Sequence, residues 1–270
     1  MVNVPVYDLN ASQKGKVDLP EVFSTPFRPD VIHRVYVALS SHKIQPQGRD
    51  LMAGKKTSAS TYNPPTGRGI SRVPRVKGER NPRSGQAAGI ASVVKGRQAH
   101  PPRSEKNIRK EINKKERWLA TASSIASSAN RELVLLRGHK ISKVPTIPLV
   151  VSDEIQNIEK AINLKSVFEK LGLDEDLARV ALKRKKRSGK PRMRGRTKKT
   201  AKGPLIVVGE DKGISKAARN LPGVDFTLVM DLSVLHLAPG SHPGRLVLWS
   251  ESALKSFNRT LLEVARRFAS

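Results

Sequence analysis

Apolar positions along the chain alternate between short continuous runs and amphipathic stretches. Val4 to Tyr7 has the length of a strand, and Pro29 to Ser40 places Val31, Ile32, Val35 and Leu39 on one helical face. A long stretch without periodicity follows. Ser104 to Ala129 then reads as one helix, with Ile108, Ile112, Leu119, Ala122 and Ala126 along a stripe beside Trp118, Ile125 and Ala129. Beyond it, Leu133–Leu136, Ile147–Val151, Leu205–Val208, Phe226–Val229 and Leu246–Trp249 are apolar runs of strand length. Ser152–Asp153 caps a helix predicted to end at Gly172, with Ile155, Ile158, Ile162 and Leu171 inward. A short helix is predicted from about Gly213 to Asn220, and Ser250 caps a final amphipathic helix to Phe268.

Strands that are apolar on both faces and separated by helices predict an α/β fold, with a mainly parallel sheet covered on each side in a Rossmann-like, doubly wound layout. The predicted globular part is residues 1–42 and 104–270. Residues 43–103 interrupt it as an extended loop.

Charge sharpens this division. The 270 residues hold 51 Lys and Arg against 23 Asp and Glu, a formal net charge of +28. Between Lys43 and Arg103 there are 13 basic residues opposed only by Asp50 and Glu79, and between Lys183 and Lys202 there are 12 with no acid. Those two segments carry +23 of the +28, so the remainder has the balance of an ordinary globular body. A polyanion is the partner that neutralises such a surface best, because each phosphate contacted releases condensed counterions. No apolar run approaches the roughly 20 residues that span a bilayer, and the N-terminus lacks the pattern of a secretory signal.

The loop over 43–103 holds eight glycines and seven prolines. Ordering it costs roughly 1–2 kcal/mol per residue in backbone entropy, which scattered Val73, Val76, Ile90 and Val93 cannot offset by burial. Phosphates around it could, and without them the loop is expected to be disordered. Doubled back on itself, it reaches at most about 100 Å from the body. The plain alternative is a tail-like loop that binds any polyanion. The second segment reads as the end of a helix running through Lys183 to Arg187, stopped by Gly189 and Pro191.

Candidate chemistry is thin. No cysteine is present, which excludes disulfides and thiolates. No Gly-x-Gly-x-x-Gly follows a predicted strand. Gly209 to Gly213 reads GEDKG, with acids where a pyrophosphate would sit, and Gly54 to Thr57 (GKKT) lacks the earlier glycine of a phosphate loop. The six histidines show no i, i+4 pair beside a carboxylate. His236 and His242 flank a turn and are read as structural or RNA-facing. Asp8, Asp18, Asp153, Glu154, Ser250 and Glu251 are read as turn and cap residues. Aromatics are only 4% of the chain, which favours phosphate and shape contacts over base stacking.

The string PPTGRGISRVPRVKG (Pro64–Gly78), then RSGQAAG (Arg83–Gly89) and KGRQAHPPRSEKN (Lys95–Asn107), resembles the universal large-subunit ribosomal protein four family in its archaeal and eukaryotic branch. The likeness continues through RGHKISKVPTIPLVVSD (Arg137–Asp153), RSGKPRMRGR (Arg187–Arg196), KAARNLPGV (Lys216–Val224) and HLAPGSHPGRLVLWSESAL (His236–Leu254). These blocks span nearly the whole chain in the family's order. The lysine-rich C-terminal extension of eukaryotic members is missing, which implies an archaeal type. Segment GQAAGIASVV is less basic and less aromatic than its eukaryotic counterpart.

The resemblance implies a non-enzymatic, cytoplasmic ribosomal component without cofactor, metal or small-molecule substrate. Its body would bind large-subunit rRNA and its loop would line the peptide exit tunnel. The implied partners are rRNA, other large-subunit proteins including the one sharing the tunnel constriction, and the nascent peptide. No membrane is implied. The rRNA-binding loop residues are Lys55, Lys56, Arg68, Arg72, Arg75, Lys77, Arg80, Arg83, Gln86, Lys95, Arg97, His100 and Arg103, with Gly67, Arg68, Gly69, Arg72, Pro74 and Arg75 as candidates for the tunnel tip. On the body the rRNA-binding segment is Lys183, Arg184, Lys185, Lys186, Arg187, Lys190, Arg192, Arg194, Arg196, Lys198 and Lys199. The competing reading is a basic packaging protein outside the ribosome, which would bind nucleic acid without regard to sequence.

Overall fold

The computed structural model describes residues 3–61 and 63–269. The chain divides into two compact units, Met1–Ser41 with Lys110–Ser270, and His42–Arg109. In the first unit the chain runs β1 (Asn3–Tyr7), β2 (Gln13–Asp18), α1 (Pro29–Ser41), α2 (Lys114–Ala129), α3 (Arg131–Leu136), β3 (Leu149–Val151), α4 (Ala161–Lys170) and α5 (Asp174–Leu182). It continues through β4 (Lys185–Lys186), α6 (Gly189–Met193), β5 (Lys198–Lys199), β6 (Leu205–Val208), α7 (Ile214–Asn220), β7 (Asp225–Leu228), α8 (Val234–Leu237), β8 (Val247–Ser250), α9 (Glu251–Lys255) and α10 (Arg259–Ala269).

Six strands form one sheet in the order β2-β1-β3-β8-β6-β7. All neighbours are parallel except β2, which lies antiparallel on the edge beside β1. The apolar runs follow from two-sided burial. Leu149, Val151, Ile206, Val208 and Leu248 point into a core shared with Val134 of α3, Leu164 and Phe168 of α4, and Ile214 and Ala218 of α7. The alternate residues Val150, Leu205, Val207, Val247 and Trp249 enter a second core with Ile125 of α2, Leu254 of α9 and Leu261 of α10. Each such side chain contributes roughly 1.5–3 kcal/mol by leaving water. A smaller cluster joins Val31, Ile32 and Val35 of α1 to Ala120 of α2 and Val234 of α8.

The mixed α/β class and mostly parallel sheet agree with the sequence pattern, but several elements differ. Leu133–Leu136 is helical: the Asn130 side chain accepts from Glu132 N at 2.9 Å and caps α3, so an apolar run too short to show a period folds as a helix. The long helix begins at Lys114, not Ser104. Residues 104–113 are irregular, held where the Ser41 hydroxyl accepts from Lys110 N at 2.9 Å, and a tertiary bond overrides the Ile108/Ile112 spacing. After Ser152 a 3-10 turn (Asp153–Asn157) precedes α4, and the last helix is broken between α9 and α10, where Asn258 caps Thr260. Strand β2 has no apolar signal. Its residues QKGKVD are almost wholly exposed, and charges on an edge discourage further pairing. The run after α5 also departs from expectation. The helix ends at Leu182 and the chain turns into an antiparallel β4–β5 ladder with α6 at its tip, where Pro191 sits in a first turn that needs no N–H. Five consecutive cations on one helix would repel at i+3 and i+4, which extended backbone avoids.

Two buried charges tie this unit together. Arg245 has no exposed surface and donates to Gly203 O at 2.9 Å, His236 O at 2.9 Å and Asp225 Oδ2 at 2.7 Å, linking β6, β7, α8 and β8. Asp176, equally buried, accepts from Arg179 Nε at 2.8 Å, Lys140 N at 3.0 Å and His139 Nδ1 at 3.1 Å. Burial would raise the Asp176 carboxyl, but the hydrogen bonds from His139 and Arg179 outweigh it and hold the pKa at about 2. Burial lowers the His139 pKa despite its carboxylate partner, so the ring is neutral and donates from Nδ1 while Arg179 supplies the positive charge.

The acid limb of the stability curve reports on this network. Asp176 ordinarily titrates at 3.8 and here at about 2. Its contribution is therefore complete above the unfolded value and is lost as pH falls toward the folded one. His139, depressed below 6.5, adds a loss that begins as pH drops through that value. Asp176→Ala is expected to cost about 3 kcal/mol at neutral pH by stranding Arg179 and His139. It should also flatten the decline between roughly pH 4 and 2, as read by urea unfolding with the buried Trp249 as fluorophore.

Candidate nucleic-acid interface

Glycine and proline build the second unit in place of a core. Residues 58–60, 74–76 and 85–88 meet in a three-stretch strip: Ser60 and Arg75 exchange two backbone bonds (3.2 and 3.0 Å), and Val76 N donates to Gln86 O at 2.9 Å. Farther along, Gly54 and Gly96 allow backbone to touch backbone. A Cβ on Gly96 would overlap Ile90 O, and one on Gly54 would lie 2.5 Å from Arg97 N. Gly67 and Gly69 adopt positive φ (93° and 64°) with open space around them, forming an unobstructed turn.

On this frame Lys55, Lys56, Arg68, Arg72, Lys77, Arg80, Arg83, Gln86, Lys95, Arg97, His100 and Arg103 are all exposed. Lys56 pairs with Asp50 and Arg72 reaches Thr66 Oγ1 at 3.1 Å. Lys95 is held in the left-handed region at φ 60°. Among the described residues, the side chains of Lys55, Arg68, Lys77, Arg80, Arg83, Lys95, Arg97 and Arg103 have no acid within ion-pair distance. Arg75 differs. Half-buried beside Pro74, it donates to Gly85 O at 2.8 Å and Ser71 O at 3.3 Å, so its guanidinium closes the strip.

In the first unit the ladder sets Lys185 opposite Lys199 and Lys186 opposite Lys198. Like charges directly across a ladder destabilise it unless an anion lies between them. Lys183, Arg184, Lys190, Arg192, Arg194 and Arg196 are exposed around it, while Arg187 is half-buried and its backbone N–H donates to Thr197 O at 2.8 Å. Single cations that no charge run betrays sit at the same end. The half-buried Arg137 donates to Pro239 O at 3.0 Å and Pro243 O at 3.4 Å and has no acidic partner among the described residues. Burial, with Arg245 and Arg179 nearby, lowers its pKa to about 10, so it stays charged at neutral pH. Arg219 and Arg245 also lie where the parallel strands begin, beside Lys202 at the end of the second charge run.

The opposite edge is acidic. Asp8, Asp153, Glu154, Glu210, Asp211, Asp231 and Glu251 follow the carboxyl ends of β1, β3, β6, β7 and β8, against Lys14, Lys212 and Lys255, each paired with one of them. Here α/β sheets commonly hold phosphorylated ligands. In this chain the Asp211 carboxylate accepts from Gly213 N at 3.0 Å and Ser215 N at 3.3 Å, and Asp153 accepts from Ser252 N at 2.8 Å. The amides at these strand ends are thus occupied by carboxylates, where a phosphate would need them. Among the described residues no cluster of His, Cys, Asp or Glu could hold a metal ion.

Comparison with known proteins accords with this distribution. The model of a family described as ribosomal protein L4/L1 matches residues 17–260. A protein from Methanosphaera stadtmanae named large ribosomal subunit protein uL4 is 44% identical over 255 residues, covering 94% of this chain and 96% of that one. Namesakes from Methanococcus aeolicus and Methanopyrus kandleri are 43% and 42% identical, over 96% and 97% of this chain and 99% and 100% of theirs.

The like-charged ladder makes opposite demands on stability and binding. Lys198→Glu places a carboxylate across from Lys186 and should stabilise the free hairpin by about 0.2–1 kcal/mol. The gain is expected as slower amide exchange at residues 185–199, shrinking at high salt, together with weaker retention on an RNA column.

Proposed function

The chain belongs to the ribosomal protein L4/L1 family, and on that premise we propose that it is a structural constituent of the large ribosomal subunit that binds large-subunit rRNA and catalyses no reaction. The observation that carries the reading is the placement of cations: exposed side chains of the second unit, of which only Lys56 pairs with an acid among the described residues, and a lysine ladder on the first. Phosphates supply the missing counter-charge. The body is read as a doubly wound, Rossmann-like domain, supported by helices on both faces of its sheet, and residues 43–103 as an arm inserted near the N-terminus.

The arm threads between rRNA helices and lines the peptide exit tunnel. Gly67, Arg68, Gly69 and Arg72 stand at its tip, where an open positive-φ turn lets backbone approach RNA or the nascent peptide. Arg75 acts from behind as the brace of that tip. Lys55, Lys56, Lys77, Arg80, Arg83, Gln86, Lys95, Arg97, His100 and Arg103 hold phosphates along the arm. The segment from Lys183 to Lys199 grips rRNA on the body. Other large-subunit proteins, including one at the tunnel constriction, complete the surroundings, and the cytoplasmic ribosome is the place of work. No helix among the described residues is long and apolar enough to cross a membrane.

Sedimentation of a lysate through sucrose, probed for this chain with and without RNase, tests the role. Comigration with the large subunit that disappears on RNA digestion is the expected result. Migration free of ribosomes, or with DNA, overturns it in favour of packaging. The arm is tested separately by replacing Arg68, Arg72 and Arg80 with Gln. The logarithmic salt dependence of rRNA binding should flatten by about two to three, and an unchanged slope removes these residues from the phosphate contacts.

A further inference from the structure

A cleft of about 360 Å³ opens at the foot of the basic ladder, where the two ends of the second charge run meet the turn after α7. Its rim holds Arg184, Lys202 and Arg219, and its floor is the Leu221–Pro222–Gly223 turn that follows α7. The floor is rigid. Gly203 N donates to Gly223 O at 2.9 Å, and Gly223, at φ 75°, could carry no Cβ without meeting Ala201 O and Val180 Cγ1, each at 2.5 Å. The one carboxylate in the wall is already neutralised, since Asp225 Oδ2 receives Lys202 Nζ at 2.6 Å and Arg245 at 2.7 Å.

What remains is unoccupied bonding capacity. The side chains of Arg184, Arg219 and Asn220 are exposed, and no hydrogen bond or ion pair links any of them to another described residue, Arg219 acting on the Asp211 carboxylate only at longer range. Two guanidinium groups facing one hollow suit a phosphate. Asn220 adds what a phosphate alone does not use, an amide that donates and accepts side by side and so matches the edge of a nucleobase. The half-buried Pro222 ring offers an apolar surface where an aromatic platform would otherwise stand. A double helix is far too wide for the space, whereas the volume lies at the lower end of the roughly 300–1,000 Å³ typical of small-ligand sites.

We infer that this cleft captures one unpaired nucleotide of the RNA, its phosphate between Arg184 and Arg219 and its base over Pro222 with its edge on Asn220. The inference rests on the rRNA reading above and adds base recognition to a surface otherwise read as holding phosphates only. Unpaired nucleotides are where RNA sequence is open to side chains, because the grooves of its helices present base edges poorly.

Chemical probing of in vitro transcribed large-subunit rRNA, with and without the full chain, provides the test. The wild-type protein should protect the Watson–Crick edge of a single unpaired nucleotide that regains reactivity with Asn220→Ala while the rest of the footprint persists. Arg219→Ala should weaken binding about tenfold. Both residues are exposed at the end of α7, so equal melting temperatures are expected and confirm folding. A wild-type footprint unchanged at every nucleotide by Asn220→Ala overturns the pocket and leaves the rRNA reading intact. No wild-type footprint at all overturns both.

Discussion

Repulsion among 51 basic side chains, met by only 23 acidic ones, is the constraint that the architecture of this chain has to satisfy. The solution is segregation. Inside the first unit the cations that reach the interior are tied individually, Arg245 to Asp225 and three carbonyls, Arg179 to Asp176, and Arg137 to two carbonyls. The two-sided apolar core around the sheet can then form without unpaired charge inside it. The excess is carried on backbone with little core to lose: the glycine-rich second unit and the two-residue strands β4 and β5. Folding there is governed by glycine geometry and backbone hydrogen bonds, and stabilisation by burial is replaced by what an anion can add from outside.

How far this was legible in the sequence depends on whether a signal was local. Strands β3, β6 and β8 are runs of mainly apolar residues, and being buried on both faces they announce a parallel sheet, which the half-buried β7 extends at its edge. Helix α1 shows its inward face by spacing alone. The failures have a common cause. In Leu133–Leu136 and in residues 104–113 the outcome is set by one hydrogen bond, from the Asn130 cap or to the Ser41 hydroxyl, that no periodicity encodes. Strand β2 is polar because it is an edge, so hydropathy cannot find it. At the candidate interface, charge runs pointed to the arm and to the ladder. They passed over Arg137 and Arg219, which the order of the strands brings to one end of the sheet. They also gave Arg75 the same standing as its neighbours, although its guanidinium is committed to carbonyls of its own unit.

The two buried ionic networks have a shared logic. Each joins elements distant in sequence, Arg245 reaching back to Gly203 across 42 positions and Asp176 to His139 across 37. Both lie at the amino ends of the strands, beneath the surface read as facing RNA. A charged surface pressed against phosphates needs a base that does not rearrange when neighbouring cations change partners. Guanidinium and carboxylate groups whose hydrogen bonds are all directed inward provide it.

The acidic rim at the carboxyl edge of the sheet bears on valence. A body cationic on every side can bridge several RNA strands at once, and mixtures of that kind condense into droplets or precipitates before they assemble. With Asp153, Glu154, Glu210, Asp211 and Asp231 exposed on one edge, the first unit has one face that repels polyanions. The acidic rim thus leaves the first unit fewer faces on which a polyanion can be held.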